Sequence, residues 1–241
     1  VTVAASSVER PERRSRPVIA VAGMAFEARI ARGDGVETVF AARADLLERA
    51  LTDALARGAS GVISFGTAGG LSPDLPPGTL IVADAIEGPF GRIATDSGWT
   101  ARLAAALAAS PLAARVQIRR GVEAAVAAPV TGAAAKDALF RSTGGALAVD
   151  MESHLAAAAA AAHGVPFAVC RAIVDPAWRS LPPAAMAGLR DDGRTAILPV
   201  LRELARRPSQ LGALLQVAAD ARAARATLTE ARRVLGRAGV L

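Results

Sequence analysis

Four clusters of polar residues stand at the ends of short apolar runs, and each has side chains that could do chemistry. Glu27 closes Gly23-Met24-Ala25-Phe26-Glu27, directly after the run Val18-Ile19-Ala20-Val21-Ala22. A carboxylate there is either a base hanging over a sheet edge or an acidic residue that favours a helix N-terminus. Gly66-Thr67-Ala68-Gly69-Gly70 follows Val62-Ile63-Ser64-Phe65. Its glycines let backbone approach a ligand and aim N–H groups at an oxygen-rich group, or they form a plain turn. It matches neither a Walker loop nor a dinucleotide fingerprint. Asp150-Met151-Glu152 marks a strand–helix junction. Asp150 reads as a helix cap, which leaves Glu152 freer to face a ligand. Asp175 ends a fourth apolar run and precedes Pro176. It is either a turn former or a general acid, since a sheet-edge pocket raises a carboxyl pKa by desolvation.

Other candidates carry less. His154 and His163 are nine residues apart, too far for one ligand-forming helical turn, and Cys170 sits inside an apolar run as an inert core thiol. With two His and one Cys, neither a structural zinc site nor an intramolecular disulfide is expected. Trp99 and Trp178 fall in loop-like segments, where they either wall a pocket or pack ordinarily.

The elements that position these clusters alternate. Strands are expected at 18–22, 36–41, 62–65, 79–86, 146–149 and 167–174, with one or two more within 116–126. Helices are expected at 45–57, 100–109, 133–141 and 151–162, the first ending at Gly58 and the last at Gly164. Several strands are continuously apolar, which favours a mostly parallel sheet covered on both faces. Beyond Pro183 the chain reads as helical, broken near Pro199 and at Pro208. Three segments follow: a disordered leader over 1–16, an α/β domain over 17–185 and a helical C-terminal extension over 186–241.

The chain has 241 residues, 52% of them hydrophobic and 21% charged, enough for one sizeable core. The net charge of +6 is concentrated at the two ends: residues 190–241 carry ten Arg against five acids, whereas 18–189 is nearly balanced. Aromatic residues are only 3%, so the chain lacks the basic face with aromatic platforms that nucleic acid binding needs. No apolar stretch has the length of a membrane span. The polar start lacks the apolar region of a signal peptide, which points to the cytoplasm. The basic tail suits either a solvated helix face or weak peripheral contact with an anionic membrane. Only one of the 28 basic residues is a lysine, Lys136, a pattern of GC-rich codon usage that says nothing about function.

Taken together and in order, the four clusters resemble the nucleoside phosphorylase/nucleosidase superfamily, over roughly 18–180. Further stretches, among them Glu27-Ala28-Arg29-Ile30-Ala31-Arg32, Val149-Asp150-Met151-Glu152-Ser153-His154 and Leu181-Pro182-Pro183, resemble its hopanoid-biosynthesis-associated branch. The resemblance implies an α/β fold of three layers, with a mixed, mostly parallel central sheet flanked by helices. It implies cleavage of the N-glycosidic bond of an adenine nucleoside bearing a large apolar 5′ substituent, adenosylhopane giving ribosylhopane and adenine. It assigns Asp175 as the acid on N7 of adenine, Glu152 as the carboxylate on a ribose hydroxyl and Glu27 as the base that activates water. Met151 would pack on sugar or base. Thr67, Ala68 and Gly69 would lie where water or phosphate sits, and Arg171 would bind at the site and orient its carboxylates. No metal or cofactor is implied, phosphate being the one co-substrate to consider, with Arg29 and Arg32 to hold it; a homo-oligomer is implied. One departure stands out: Val174 occupies a place where the nucleosidases carry Ser or Asn. Two other readings remain, an ordinary methylthioadenosine/S-adenosylhomocysteine nucleosidase and a non-catalytic nucleoside-binding protein.

Overall fold

A computed structural model describes residues 16–241. The expected leader, apart from its last position, lies outside the described residues. Continuous apolar runs become the buried strands, β1 (Val18–Ala22), β3 (Gly61–Gly70), β4 (Leu80–Gly88) and β8 (Phe167–Asp175). With β2 (Val36–Phe40), β5 (Gly91–Ala94), β6 (Ile118–Ala125) and β7 (Ala148–Asp150) they form one mixed sheet of eight strands. The pairings β1–β2, β1–β3, β3–β8, β4–β6 and β6–β7 are parallel, and β3–β7, β4–β5 and β4–β8 are antiparallel. Because β3 pairs with both β7 and β8, and β4 with both β6 and β8, five strands close into a ring.

Helices cover both faces. α2 (Ala44–Ala56) and α5 (Ser153–Ala162) bury Leu47, Leu51, Leu55 and Ala156 against Val21 and Val62. Gly164, at φ 63°, ends α5 in the left-handed region that favours glycine. On the other face lie α1 (Ala25–Ala31), α3 (Ser97–Ala108) and the long α8 (Leu211–Arg237). α4 (Ala133–Ser142) lies beside the end of β8, and α6 (Pro183–Ala187) and α7 (Ile197–Arg206) follow it. No helix among the described residues is long and apolar enough to cross a membrane.

Several expectations are corrected. The glycine-rich segment is no turn: Gly66–Gly70 continues β3, paired with β8 along one side and with β7 at Gly69 and Gly70. Residues 116–126 hold one strand, within the one or two expected, whereas β5 is an element the sequence reading lacks. The helical stretch beyond Pro183 is indeed interrupted near Pro199, over 188–196; Pro199 itself falls in the first turn of α7, where a missing N–H costs no helical hydrogen bond. The C-terminal segment is no appendage. Ala224, Leu228, Ala231 and Leu235 recur at helical spacing and are buried with Phe65, Val82 and Cys170, so α8 supplies part of the main core. Arg232 of that helix donates to the Ala31 and Leu241 carbonyls, 2.7 and 2.8 Å away. Trp99 is buried in α3 and donates to the Val240 carbonyl at 3.1 Å, while Trp178 is exposed; neither walls the site.

Candidate active site

Glu27 shows how the sequence builds the site locally. It stands in the first turn of α1, where its Oε2 accepts from the Gly23 and Met24 amides at 3.1 and 3.0 Å, so it does serve the helix N-terminus. It also reaches across to β3: Oε1 accepts from the Thr67 amide at 2.8 Å and from the Thr67 hydroxyl at 2.5 Å. One side chain therefore both serves the helix N-terminus and hangs over the edge of β3. Gly66 makes the approach possible, since a Cβ there would sit 2.9 Å from the Glu27 carboxyl carbon. A Cβ on Gly23 would overlap the Glu152 carboxylate in the same way.

Beneath these carboxylates lies Arg171, with no exposed surface. Its guanidinium meets Asp150 Oδ2 at 2.8 Å and Glu152 Oε2 at 2.9 Å, and it donates to the Thr67 carbonyl at 2.8 Å and to Ser64 Oγ. Ser153 donates its hydroxyl to Asp150 Oδ2 at 2.5 Å, and its amide approaches the same carboxylate at 3.1 Å. Asp150, two residues ahead of the N-cap Glu152, thus takes the first amide of α5 and pairs with Arg171 at once. Planar, five-donor geometry suits Arg171 to hold several acceptors in fixed places. Arg171, expected among the substrate-binding residues, does not line the cavity; it holds Asp150 and Glu152, which do.

A cavity of about 210 Å³ opens above this network. Glu27, Thr67, Ala68, Gly69, Met151, Glu152 and Asp175 all line it, so of the residues to which the resemblance gives a catalytic or binding role only Arg171 stands back from it. Asp175 is brought there by β8 and is 6% exposed. Burial pushes its carboxyl above the usual range, against the pull of a neighbouring ammonium, Lys136. Burial likewise pushes the Glu152 carboxyl up to about 7, with Arg171 opposing and Asp150 and Glu27 adding. Glu123, wholly buried 4.0 Å from Arg171, has no hydrogen-bond partner for either oxygen. Its carboxyl lies well above the ordinary value through burial first and Asp150 next, with Arg171 opposing. The Cys170 thiol is pushed up to about 12 by burial, which makes it the inert core residue expected.

Sequence reasoning missed Lys136, Glu123 and Ser64. Ser64 and Glu123 look like ordinary strand residues, and only the pairing of strands brings them to Arg171. Lys136 did carry a signal: it is the single lysine of the chain. Arg29 and Arg32, considered as phosphate holders, line a separate surface cleft beside α1 and do not reach the cavity. His154 is buried against Phe90, ring centroids 5.8 Å apart, and burial lowers its pKa.

A parallel-rich α/β sheet closing a ring, with acids gathered at the strand ends, defines the class of fold to which known nucleosidases also conform. The chain belongs to the phosphorylase superfamily, whose model matches residues 18–184. It is 39% identical over 142 residues to futalosine hydrolase of Streptomyces coelicolor, an alignment covering 49% of this chain and 57% of that protein. The chain thus spans little more than half the length of this relative. Among solved structures it resembles a mutant form of the Helicobacter pylori nucleosidase MTAN with 5′-methylthioadenosine in its active site, with TM-score 0.62 and 17% identity over 93% of this chain and 98% of that one. Futalosine hydrolase of the same organism matches with TM-score 0.56 and 19% identity over 67% and 88%. At these identities the structural likeness speaks to the fold.

Proposed function

We propose that the protein is an N-glycosyl hydrolase acting on a purine nucleoside. The observation that carries this is the meeting of Asp175, Glu152 and Glu27 on one small cavity, each held by defined partners. Adenine leaves poorly unless protonated. A positioned acid or base contributes about 10²–10⁴-fold, and a carboxylate beside the ribose stabilises the positive charge that develops there. In this reading Asp175 protonates N7, Glu152 binds a ribose hydroxyl and Met151 packs against the sugar. Glu27, with Thr67 beside it, receives a proton from the attacking water. The same division of labour operates in glycoside hydrolysis.

Water is favoured over phosphate as nucleophile. A phosphate dianion calls for cationic donors, and among the described residues no Arg or Lys lines the cavity. Glu27 would itself repel the dianion. The Glu27→Gln variant should therefore lose adenine release in phosphate-free buffer. Release at the normal rate, or wild-type activity that depends on added phosphate, would overturn the hydrolytic assignment.

The substrate we assign is an adenine nucleoside with a large apolar 5′ substituent, with adenosylhopane as the specific candidate. In support, the cavity is too small to enclose a drug-sized ligand, so a large substituent must leave through its mouth. Leu181, Met186 and Leu189 line that cavity, and Leu189 is 40% exposed. Adenine release compared across methylthioadenosine, S-adenosylhomocysteine and adenosylhopane tests the assignment, with preference for either of the first two counting against it.

A membrane-borne substrate also gives a role to α7. Its Ile197, Leu198 and Leu201 are 71, 77 and 55% exposed, and Arg194, Arg202, Arg206 and Arg207 flank them along the chain, Arg194 within 4.0 Å of Asp192 and Arg206 and Arg207 within 3.9 Å of Glu203. We assign this face to an anionic membrane, each arginine near the surface adding about 1 kcal/mol. The protein should co-sediment with phosphatidylglycerol vesicles at low salt, and Leu198→Glu should weaken that binding. Absence of vesicle binding by the unaltered protein would remove the membrane role. Deleting α8 is no substitute for this test, because its C-terminal half is part of the core.

A further inference from the structure

Lys136 is the one lysine in a chain with 28 basic residues, and it is fully buried. It projects from the first turn of α4 towards the end of β8. Its ammonium donates to Asp175 Oδ2, to the Pro176 carbonyl at 3.0 Å and to the Arg179 carbonyl at 3.0 Å, with the Asp175 carbonyl at 3.3 Å. Its three protons are thereby committed. It has no place on the cavity wall, so it meets no substrate. A compact ammonium suits these convergent acceptors, where the planar fork of an arginine would need more room.

We infer that Lys136 is a positioning residue for Asp175: it fixes one carboxyl oxygen, leaves Oδ1 towards the cavity, and stabilises the carboxylate that forms when Asp175 gives up its proton. Among the described residues Oδ1 accepts no hydrogen bond, and the wall beside it is the bare backbone of Gly69, where a Cβ would lie 3.4 Å from Oδ1. The inference rests on the hydrolase reading. In the step it serves, the Asp175 O–H bond breaks as N7–H forms. The C1′–N9 pair leaves with adenine, water adds to C1′, and its second proton goes to Glu27. Asp175 ends the step as an anion in a buried site, where an unpaired charge would be costly.

Other charges around Asp175 do not take this role. Arg179 in the following turn and Asp220 of α8 pair with each other at 2.5 Å, which offsets their opposite influences. Asp150 and Glu152, on the same cavity, are matched to Arg171. Burial raises the Asp175 pKa and Lys136 opposes it, so loss of the ammonium leaves burial unopposed.

Two experiments test this. In Lys136→Met the alkaline limb of kcat/KM, which reports the essential acid, should move up by about one pH unit or more, with kcat at pH 7 down at least about tenfold and KM little changed. Lys136→Arg, which keeps the charge, should hold the limb near its wild-type position. Lys136→Gln, which keeps a donor without the charge, should move it as Met does. A Met or Gln variant that folds and retains the wild-type limb would show a structural tie only and overturn the proposal. The second experiment uses the unaltered chain. Labelling with ¹³C,¹⁵N-lysine gives a single side-chain signal, which should titrate at the pH of the kinetic limb and cease to do so in Asp175→Asn. A signal that stays still through the limb overturns the proposal even where every variant fails to fold. Coupled titration without cleavage of any nucleoside would instead sink the hydrolase reading, and cleavage without coupling would sink only the role of Lys136.

Discussion

Asp175→Asn will lower kcat by about 10²–10⁴-fold and leave KM nearly unchanged. The amide keeps the shape of the carboxyl and an oxygen for Lys136, yet it has no proton to give at neutral pH. Protonation of the leaving base is an interaction of the transition state alone, so its loss appears in kcat and not in ground-state binding. The variant also leaves the Lys136 ammonium buried without an anion, cushioned by the Pro176 and Arg179 carbonyls. Its stability must therefore be checked by denaturant unfolding before kinetics are compared. A folded variant retaining more than about a tenth of the wild-type kcat would be too active for loss of a general acid.

The second large effect is on stability. Arg171→Met will destabilise the fold by about 3–5 kcal/mol at pH 8, because it removes one partner of a buried charge network and leaves Asp150 and Glu152 uncompensated. The loss should shrink in acid. With Arg171 present, the Glu152 carboxyl already stands at about 7 against an ordinary 4.5. A carboxyl whose folded-state pKa is raised contributes stability that is fully present below the unfolded value and is lost as pH rises through the folded one. Glu123 acts in the same direction. Removing the arginine strengthens that dependence, since the carboxyls can then escape their burial cost only by holding protons. Urea unfolding of the variant and the wild type at pH 5 and pH 8 measures it. Equal stability of the two proteins at pH 8, or a deficit that grows towards pH 5, would contradict the network described here.

The layered α/β class was legible in the order of residues, since the apolar runs are short, continuous and punctuated by Gly and Pro. That Glu27, Thr67, Met151, Glu152 and Asp175 stand where apolar runs end was legible too, and the fold brings all five to one cavity. Those signals are local: a run, a cap and a terminating turn lie within a dozen residues of one another. Features that depend on pairing between distant segments emerged only in the folded chain. Gly66–Gly70 reads as a turn until β7 and β8 supply its hydrogen-bond partners, and only then does it become the strand that seats Glu27. Arg171 and Asp175 are four apart, a spacing that puts both on one face of a regular strand. The pairing of β8 with β3 slips by one residue between Ile173 and Asp175, where Val174 is the extra residue of a bulge. That slip lets Arg171 point beneath the site to Asp150 and Glu152 while Asp175 faces the cavity. The C-terminal helix reads as a basic amphipathic tail, and the core needs its Ala224, Leu228 and Leu235. Lys136 lies 39 residues from Asp175. No spacing rule joins them, because a buried ion pair is set by where two elements come to rest against each other, and that is a property of the packed core.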